Sequence, residues 1–250
     1  MRSIAMVTGA THGIGYEVAR RLALRDSFVI VHGPTPSQAH AAVAGLIRDG
    51  VDPHLLEPVA ADFRRLADVV SLGKYLDRRH AALDLLVNNA GAATPIAESW
   101  NVNYLGHYAL TRLLAPGLKA ARGRVISVTS ALHREATLGL TPVTPRGAYA
   151  KAKLALTMFT RCLRVAVEDP IDAVAVHPGY VDTGAFTEFY GMGGLPVRDA
   201  AAAVLDTGKY FYYEGHFRAD AAPEVYDDEA LRWLWHRSER ALAWDHAPAA

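Results

Sequence analysis

Tyr149 and Lys153 stand four residues apart in the run Tyr149-Ala-Lys-Ala-Lys153. A helix turns once per about 3.6 residues, so this spacing puts both side chains on one face. A phenol alone titrates near pH 10. An ammonium beside it stabilises the phenolate, which lets such a pair exchange a proton with an alcohol or carbonyl oxygen near neutral pH. The same spacing also arises where an amphipathic helix half-buries a tyrosine and solvates a lysine, so the pair takes its meaning from its surroundings.

A second group could hold a phosphate. Thr8-Gly9-Ala-Thr11-His12-Gly13-Ile14-Gly15 is a glycine-rich turn placed between an apolar run and an Ala/Arg/Leu-rich segment. Glycines let a backbone turn sharply against a pyrophosphate, and the helix that follows offers free N–H groups and partial positive charge. The spacing is GxxxGxG rather than GxGxxG. Other chemistry is unsupported. The eleven histidines include no HExxH or paired ligand spacing, so no metal site is expected. The one cysteine, Cys162, excludes a disulfide within the chain and reads as a buried, inert thiol.

The elements that must position these residues alternate along the chain. Short β-branched runs are expected as strands at 3–8, 28–31, 54–59, 83–88, 124–129, 171–177 and 209–212. Helices are expected at 14–25, 37–49, 63–79, 98–121, 149–168, 197–206 and 228–240. Such alternation describes an α/β, Rossmann-type doubly wound fold: a seven-stranded, mostly parallel sheet with helices on both faces. No linker or composition break divides the 250 residues, so one domain is expected. Residues 1–95 would form mainly the cofactor-binding half and 96–250 the catalytic and substrate-binding half.

Two stretches break the rhythm. Residues 131–147 hold Pro142 and Pro145 and carry His133, Arg134 and Glu135, charges that either bind a polar substrate group or solvate a loop. Residues 184–196 mix glycines with Phe186, Phe189, Tyr190 and Met192, which reads as a lid over an apolar ligand or as an ordinary connection with core anchors. Lys plus Arg and Asp plus Glu balance at 26 each, so no nucleic-acid or anionic-membrane partner is indicated. No apolar run approaches the roughly 20 residues of a membrane span, and Met1 leads straight into a strand, so a cytoplasmic protein is expected.

Taken in order, the motifs TGATHGIG, Ala61-Asp62-Phe63, Asn88-Asn89-Ala90-Gly91, Val102-Asn103, Val128-Thr129-Ser130, YAKAK and His177-Pro178-Gly179-Tyr-Val181-Asp-Thr183 resemble the short-chain dehydrogenase/reductase family over essentially the full length. Val102-Asn-Tyr-Leu-Gly-His107 and Leu234-Trp-His-Arg-Ser-Glu239 look most like its retinol-dehydrogenase-like reductases.

The resemblance implies roles. Tyr149 would be the general acid/base, with Lys153 lowering its pKa and holding the nicotinamide ribose. Ser130 would hold the substrate oxygen, unless it only caps a strand end. Asn103, rather than the competing Asn101, would anchor a water beside Lys153. Gly9, Thr11, His12, Ile14 and Gly15 would line the pyrophosphate and adenosine ribose, with His32 and Gly33 nearby. Asp62 would meet the adenine amino group or cap a helix, with Phe63 beside the ring. Asn89, Ala90 and Gly91 would lie against the other ribose, and Pro178, Gly179, Val181 and Thr183 would clasp the carboxamide.

A family member that binds NAD usually carries an acidic residue after the second strand. Here Val31-His32-Gly33-Pro34-Thr35 has none, and the arginine that often meets a 2′-phosphate is also missing. The balance leans to NADP(H) over NAD(H), with His12, Thr35 and Ser37 as polar contacts. The expected function is carbonyl–alcohol interconversion on an apolar small molecule, as by a ketoreductase of bacterial specialised metabolism. Its alternatives are epimerisation, reductive cyclisation or dehydration with the same cofactor, or a silent NADP sensor. A homodimer through the helices that begin near Glu98 and Tyr149 is expected, with Leu154, Leu156, Met158 and Phe159 as its apolar area.

Overall fold

The strands stack in the order β3-β2-β1-β4-β5-β6-β7-β8 in a computed structural model that describes residues 2–165, 170–181 and 194–245. They are β1 Ile4–Val7, β2 Phe28–Gly33, β3 Leu56–Ala60, β4 Leu85–Asn88, β5 Arg124–Val128, β6 Asp172–His177, β7 Tyr212–Glu214 and β8 Phe217–Arg218. All neighbours run parallel except β7 and β8. Successive residues of a strand face opposite sides. Met6, Ile30, Leu86 and Val125 therefore enter one core, while Val7, Val31, Val87 and Ile126 enter the other. Pro58 is tolerated in β3 because that strand lies at the edge of the sheet.

Among the described residues the sheet has eight strands where the sequence pattern predicts seven. The extra one, β8, has only two residues, too few for a periodic signal. It turns back on β7 through Gly215, whose φ of 57° suits a tight hairpin, and this moves the seventh strand from 209–212 to Tyr212–Glu214.

Helices α1 Gly13–Leu24 and α2 Pro36–Arg48 cover one face. On the other lie α3 Leu66–Arg79, α4 Ile96–Trp100, α5 Gly106–Ala121 and α6 Pro145–Val165. Helix α7, Val197–Leu205, joins the α1 side, and α8, Asp228–Asp245, joins the α6 side. Helix α3 starts three residues later than expected. Asp62 accepts from the Arg64 N–H at 3.0 Å and folds 62–65 into a turn, so Asp62 is not the cap of this helix. Helix α6 starts earlier, at Pro145, whose fixed φ and missing N–H suit a first helical position.

Between α4 and α5 the chain makes a π turn at Asn101–Leu105, an irregularity that redirects side chains and often accompanies functional sites.

Helix α8 packs across α5 and α6. Trp235 lies 5.5 Å from the Tyr108 ring and 6.2 Å from Phe159, and the Tyr108 hydroxyl donates to Glu239. Leu154, Leu156, Met158 and Phe159 are consequently buried within a single chain. The apolar area expected to face a second copy is thus used internally.

Ser238 Oγ donates to the Leu234 carbonyl at 2.8 Å, so its 2.6 Å contact with Tyr104 is accepted from the tyrosine hydroxyl. Both groups are buried. Ser238→Ala is expected to cost about 1–2 kcal/mol, because the Tyr104 O–H loses its acceptor away from water; urea unfolding measures it.

Candidate active site

Loops at the C-terminal ends of β1, β4, β5 and β6 enclose a cleft of about 450 Å³, at the point where the strand order reverses between β1 and β4. Its first wall is the glycine turn. Gly9 and Gly13 have φ of 62° and 58°, in the left-handed region that glycine alone enters freely. A Cβ on Gly15 would lie 2.4 Å from both Asn89 Nδ2 and the Gly9 carbonyl oxygen.

Thr8, buried at the end of β1, ties this turn to the loop after β4. Its Oγ1 accepts from the Asn89 and Ala90 N–H groups, each at 2.9 Å. Asn89 Nδ2 donates to the Thr8 and Gly9 carbonyls, so this side chain braces the turn while the residue lines the cleft. The clasp depends on how two distant strands pair, which is why the motif read alone gave Thr8 no role.

Thr11, His12, Ile14, His32, Ala90 and Gly91 also line the cleft, as do Asp62 and Phe63. Gly33 does not. A Cβ there would meet Thr11 Cγ2 at 2.8 Å and the Ala39 nitrogen at 3.0 Å, so this glycine permits the close approach of α2 from outside the cleft lining. Thr35 Oγ1 caps α2 by accepting from the Gln38 N–H, and neither Thr35 nor Ser37 reaches the lining; Pro34 and Gln38 do. Asp62 pairs with Arg64 at 2.7 Å, and that guanidinium holds its carboxyl below the usual carboxylate range against the opposing effect of burial.

At the other end, Lys153 is buried and donates from Nζ to the Val128 carbonyl at 2.8 Å. Burial lowers its pKa to about 8. Nζ lies 5.5 Å from the Tyr149 ring centroid, and both residues line the cleft beside Ser130. Ser130 Oγ accepts from the Leu132 N–H at 3.3 Å, so the residue caps the turn at Ala131–Glu135 as well as facing the cleft.

The π turn carries Asn103 inward. Its Oδ1 accepts from the Ala92 N–H at 3.0 Å, and its Nδ2 donates to the Ala92 carbonyl and to Ser99. Asn101 instead donates to the Arg64 carbonyl. A Cβ on Gly91 would stand 2.9 Å from Asn103 Oδ1 and 3.1 Å from Lys153 Nζ, so both side chains close on the bare backbone of Gly91.

Pro178, Gly179 and Val181 line the cleft after β6, and a bridge between Val181 and Leu195 returns the chain to this edge. Thr183, Phe186, Phe189, Tyr190 and Met192 lie outside the described residues. Of the three residues singled out in the 131–147 stretch, Arg134 and Glu135 are exposed, as expected of a solvated loop, while His133 has neither expected role. His133 is buried, with Nδ1 donating to the Ser130 carbonyl at 2.7 Å and Nε2 accepting from the Ala222 N–H at 3.0 Å. Arg134 pairs with Glu214 and Glu135 with Arg146. These contacts fasten the Ser130 loop to later parts of the chain.

A nicotinamide dinucleotide fits these residues. The glycine turn is a cradle that side chains would fill, and the cleft runs on from it to Tyr149 and Lys153. The lining is mixed rather than polar throughout, with Val102, Leu132 and Tyr180 near Ser130 and Tyr149.

Residues 3–191 match the family model described as short chain dehydrogenase. Polyprenol dehydrogenase of Mus musculus is 36% identical over 220 residues, which cover 79% of this chain and 64% of the mouse protein. The chain thus spans slightly less than two thirds of that relative. Retinol dehydrogenase 13 of Homo sapiens is 27% identical over 279 residues, covering 95% of this chain and 83% of its own. Among solved structures, an alcohol dehydrogenase from the archaeon Thermococcus sibiricus, complexed with 5-hydroxy-NADP, shares the fold at a TM-score of 0.68 and 22% identity, covering 88% of this chain and 100% of the other. The motif order, the sheet that carries it and these likenesses agree: the chain belongs to the short-chain dehydrogenase family of oxidoreductases, on its retinol-dehydrogenase-like side.

Proposed function

We propose that this chain interconverts an alcohol and a carbonyl on an apolar small molecule, with NADP(H) as the preferred cofactor. The observation that carries the reading is the meeting of Tyr149, the buried Lys153 and Ser130 in the cleft that begins at the glycine turn. When bound, the nicotinamide supplies or accepts a hydride at the carbon that bears the oxygen.

The protein's own residues handle the oxygen and its proton. The Tyr149 hydroxyl donates a proton to the oxygen in reduction and removes one in oxidation. Ser130 Oγ donates a hydrogen bond to the same oxygen and steadies its developing charge. Lys153 carries its positive charge beside the Tyr149 ring and favours the phenolate whenever the proton has left. Asn103 ties the Ala92 backbone to the π turn and so fixes the wall beside Lys153.

Gly9, His12, Ile14 and Gly15 would hold the pyrophosphate side of the cofactor, Asp62 its adenine, and Pro178 to Val181 its carboxamide. Beyond the ends of β2 and β3 the cleft is lined by Pro34, Gln38 and Arg64, with no acidic residue at the end of β2 to repel a 2′-phosphate. This supports NADP(H) over NAD(H).

Val102, Leu132, Tyr180 and Val181 favour an apolar substrate, and Val181 leads into the stretch that holds Phe186, Phe189, Tyr190 and Met192. The names of the relatives, polyprenol and retinol dehydrogenases, point to isoprenoid alcohols and the matching aldehydes as the first class to try. The test is nicotinamide absorbance on a panel of retinal, polyprenals, steroid ketones and short polar aldehydes with each cofactor. Turnover is expected with the apolar carbonyls and NADPH. Turnover confined to polar aldehydes would reject the substrate class, and binding of cofactor without turnover on any carbonyl or alcohol would favour the sensor alternative.

A further inference from the structure

Beneath the cofactor end of the cleft lies a column of three buried rings. His32, on β2, stands 4.8 Å from the Phe63 ring, and Phe63 stands 5.1 Å from His107, on α5. The column needs Gly106, because a Cβ there would lie 2.7 Å from Phe63 Cδ2. Each histidine also grips backbone that lines the cleft. His32 Nδ1 accepts from the Gly9 N–H at 3.0 Å, and Nε2 meets the Ala61 carbonyl at 3.0 Å. His107 Nε2 meets the Ala90 carbonyl at 2.7 Å.

The partners determine the proton positions. An amide N–H only donates and a carbonyl only accepts, so His32 must be neutral with its proton on Nε2. His107 must likewise carry a proton on Nε2, and its Nδ1 is buried with no partner among the described residues. Burial keeps the pKa of His32 at about 4 and that of His107 at about 3, so both rings are neutral across the working range of most enzymes.

We propose that His32 and His107 are positioning residues for the cofactor: on either side of Phe63, His32 steadies the Gly9 turn through Nδ1 and His107 steadies the Ala90 loop through Nε2. The Gly9 turn and the Ala90 loop are already tied together by Thr8 and Asn89, and the Ala61 N–H reaches the Gly33 carbonyl at 3.2 Å; the two rings add a further bond to each of these segments from beneath the cleft. They do so as neutral rings, without placing a charge under a pyrophosphate. Neither ring is a catalytic residue. The inference rests on the proposed reading of the cleft as a nicotinamide dinucleotide site.

Amide substitutions separate positioning from mere packing. Asparagine can present an oxygen where imidazole has Nδ1, and glutamine an N–H where imidazole has Nε2. His32→Asn therefore keeps the acceptor for Gly9, while His32→Gln gives it up and keeps the donor for Ala61. His107→Gln keeps the donor for Ala90, and His107→Asn loses it. Dissociation constants for NADPH and NADH, measured by calorimetry with melting temperatures alongside, are expected to show a crossed pattern. His32→Asn and His107→Gln should bind within about two-fold of the unsubstituted protein, and His32→Gln and His107→Asn about ten-fold more weakly, at similar melting temperatures within each pair.

Affinities that follow melting temperature rather than the retained bond would overturn the inference. If a variant fails to fold, ring 15N shifts of the unsubstituted protein decide: both histidines are expected neutral and protonated at Nε2 at pH 7, and any other form in either ring overturns the assignment. An unsubstituted protein that binds neither cofactor would reject the cleft reading and this inference with it. Binding without the crossed pattern would reject the histidine roles alone.

Discussion

Tyr149→Phe is expected to reduce kcat for carbonyl reduction by about 10² to 10⁴-fold, the range for loss of a positioned general acid, while cofactor affinity stays within about two-fold. The ring, and with it the 5.5 Å contact to Lys153 Nζ, remains; only the proton is removed. Steady-state kinetics with NADPH and a productive carbonyl, paired with a binding titration, separate the two quantities. Undiminished kcat in this variant would end the acid/base assignment.

Lys153→Met has two expected effects of opposite kind. Turnover falls by about 10²-fold or more, since the charge beside Tyr149 is gone. Stability behaves differently. Lys153 has a pKa of about 8 when folded, below the 10.5 of an ordinary lysine. Below pH 8 the folded protein must therefore hold a buried charge that the unfolded chain keeps in water. That penalty is fully present at neutral pH and disappears as pH rises from about 8 towards 10.5, where the unfolded chain binds the extra proton and wild-type stability climbs.

Methionine at this position has no such penalty, although it leaves the Val128 carbonyl without its 2.8 Å donor. The stability of Lys153→Met relative to wild type should thus be most favourable at pH 6 to 7. It should decline by on the order of 3 kcal/mol by pH 10.5. Urea unfolding at a series of pH values tests this, and a difference that does not change with pH would show that Lys153 titrates normally.

Much of the architecture was legible because parallel strands buried on both faces read as short β-branched runs, and those before β1, β2, β4, β5 and β6 did so. The placing of Tyr149 and Lys153 on one helix was legible for a similar reason, since four-residue spacing on a helix survives any error in where that helix begins. Helix α6 starts at Pro145 rather than 149, and the pair is unaffected.

What escaped depends on contacts between distant segments. The π turn at Asn101–Leu105 has no composition of its own and becomes evident only when Asn103 meets Ala92. His133 is a polar residue in a proline-rich stretch, and solvent or ligand is the natural expectation for it. Its burial follows from the Ala222 N–H, 89 residues away, which a local pattern cannot contain. Gly33 resembles the glycines of the turn, yet it serves the packing of α2 against Thr11.

Among the described residues helix α8 contributes none to the cleft lining, although it packs on α6, which carries Tyr149 and Lys153, and on α5, which follows the π turn. On the ribosome, α5 and α6 emerge well before it. During that interval Tyr108 and Phe159 lack Trp235, Tyr104 lacks Ser238, and apolar surface that the finished protein never exposes is open to water or to a chaperone. Completion of the helix that carries Tyr149 and Lys153 is therefore coupled to translation of a segment that lies outside the cleft lining.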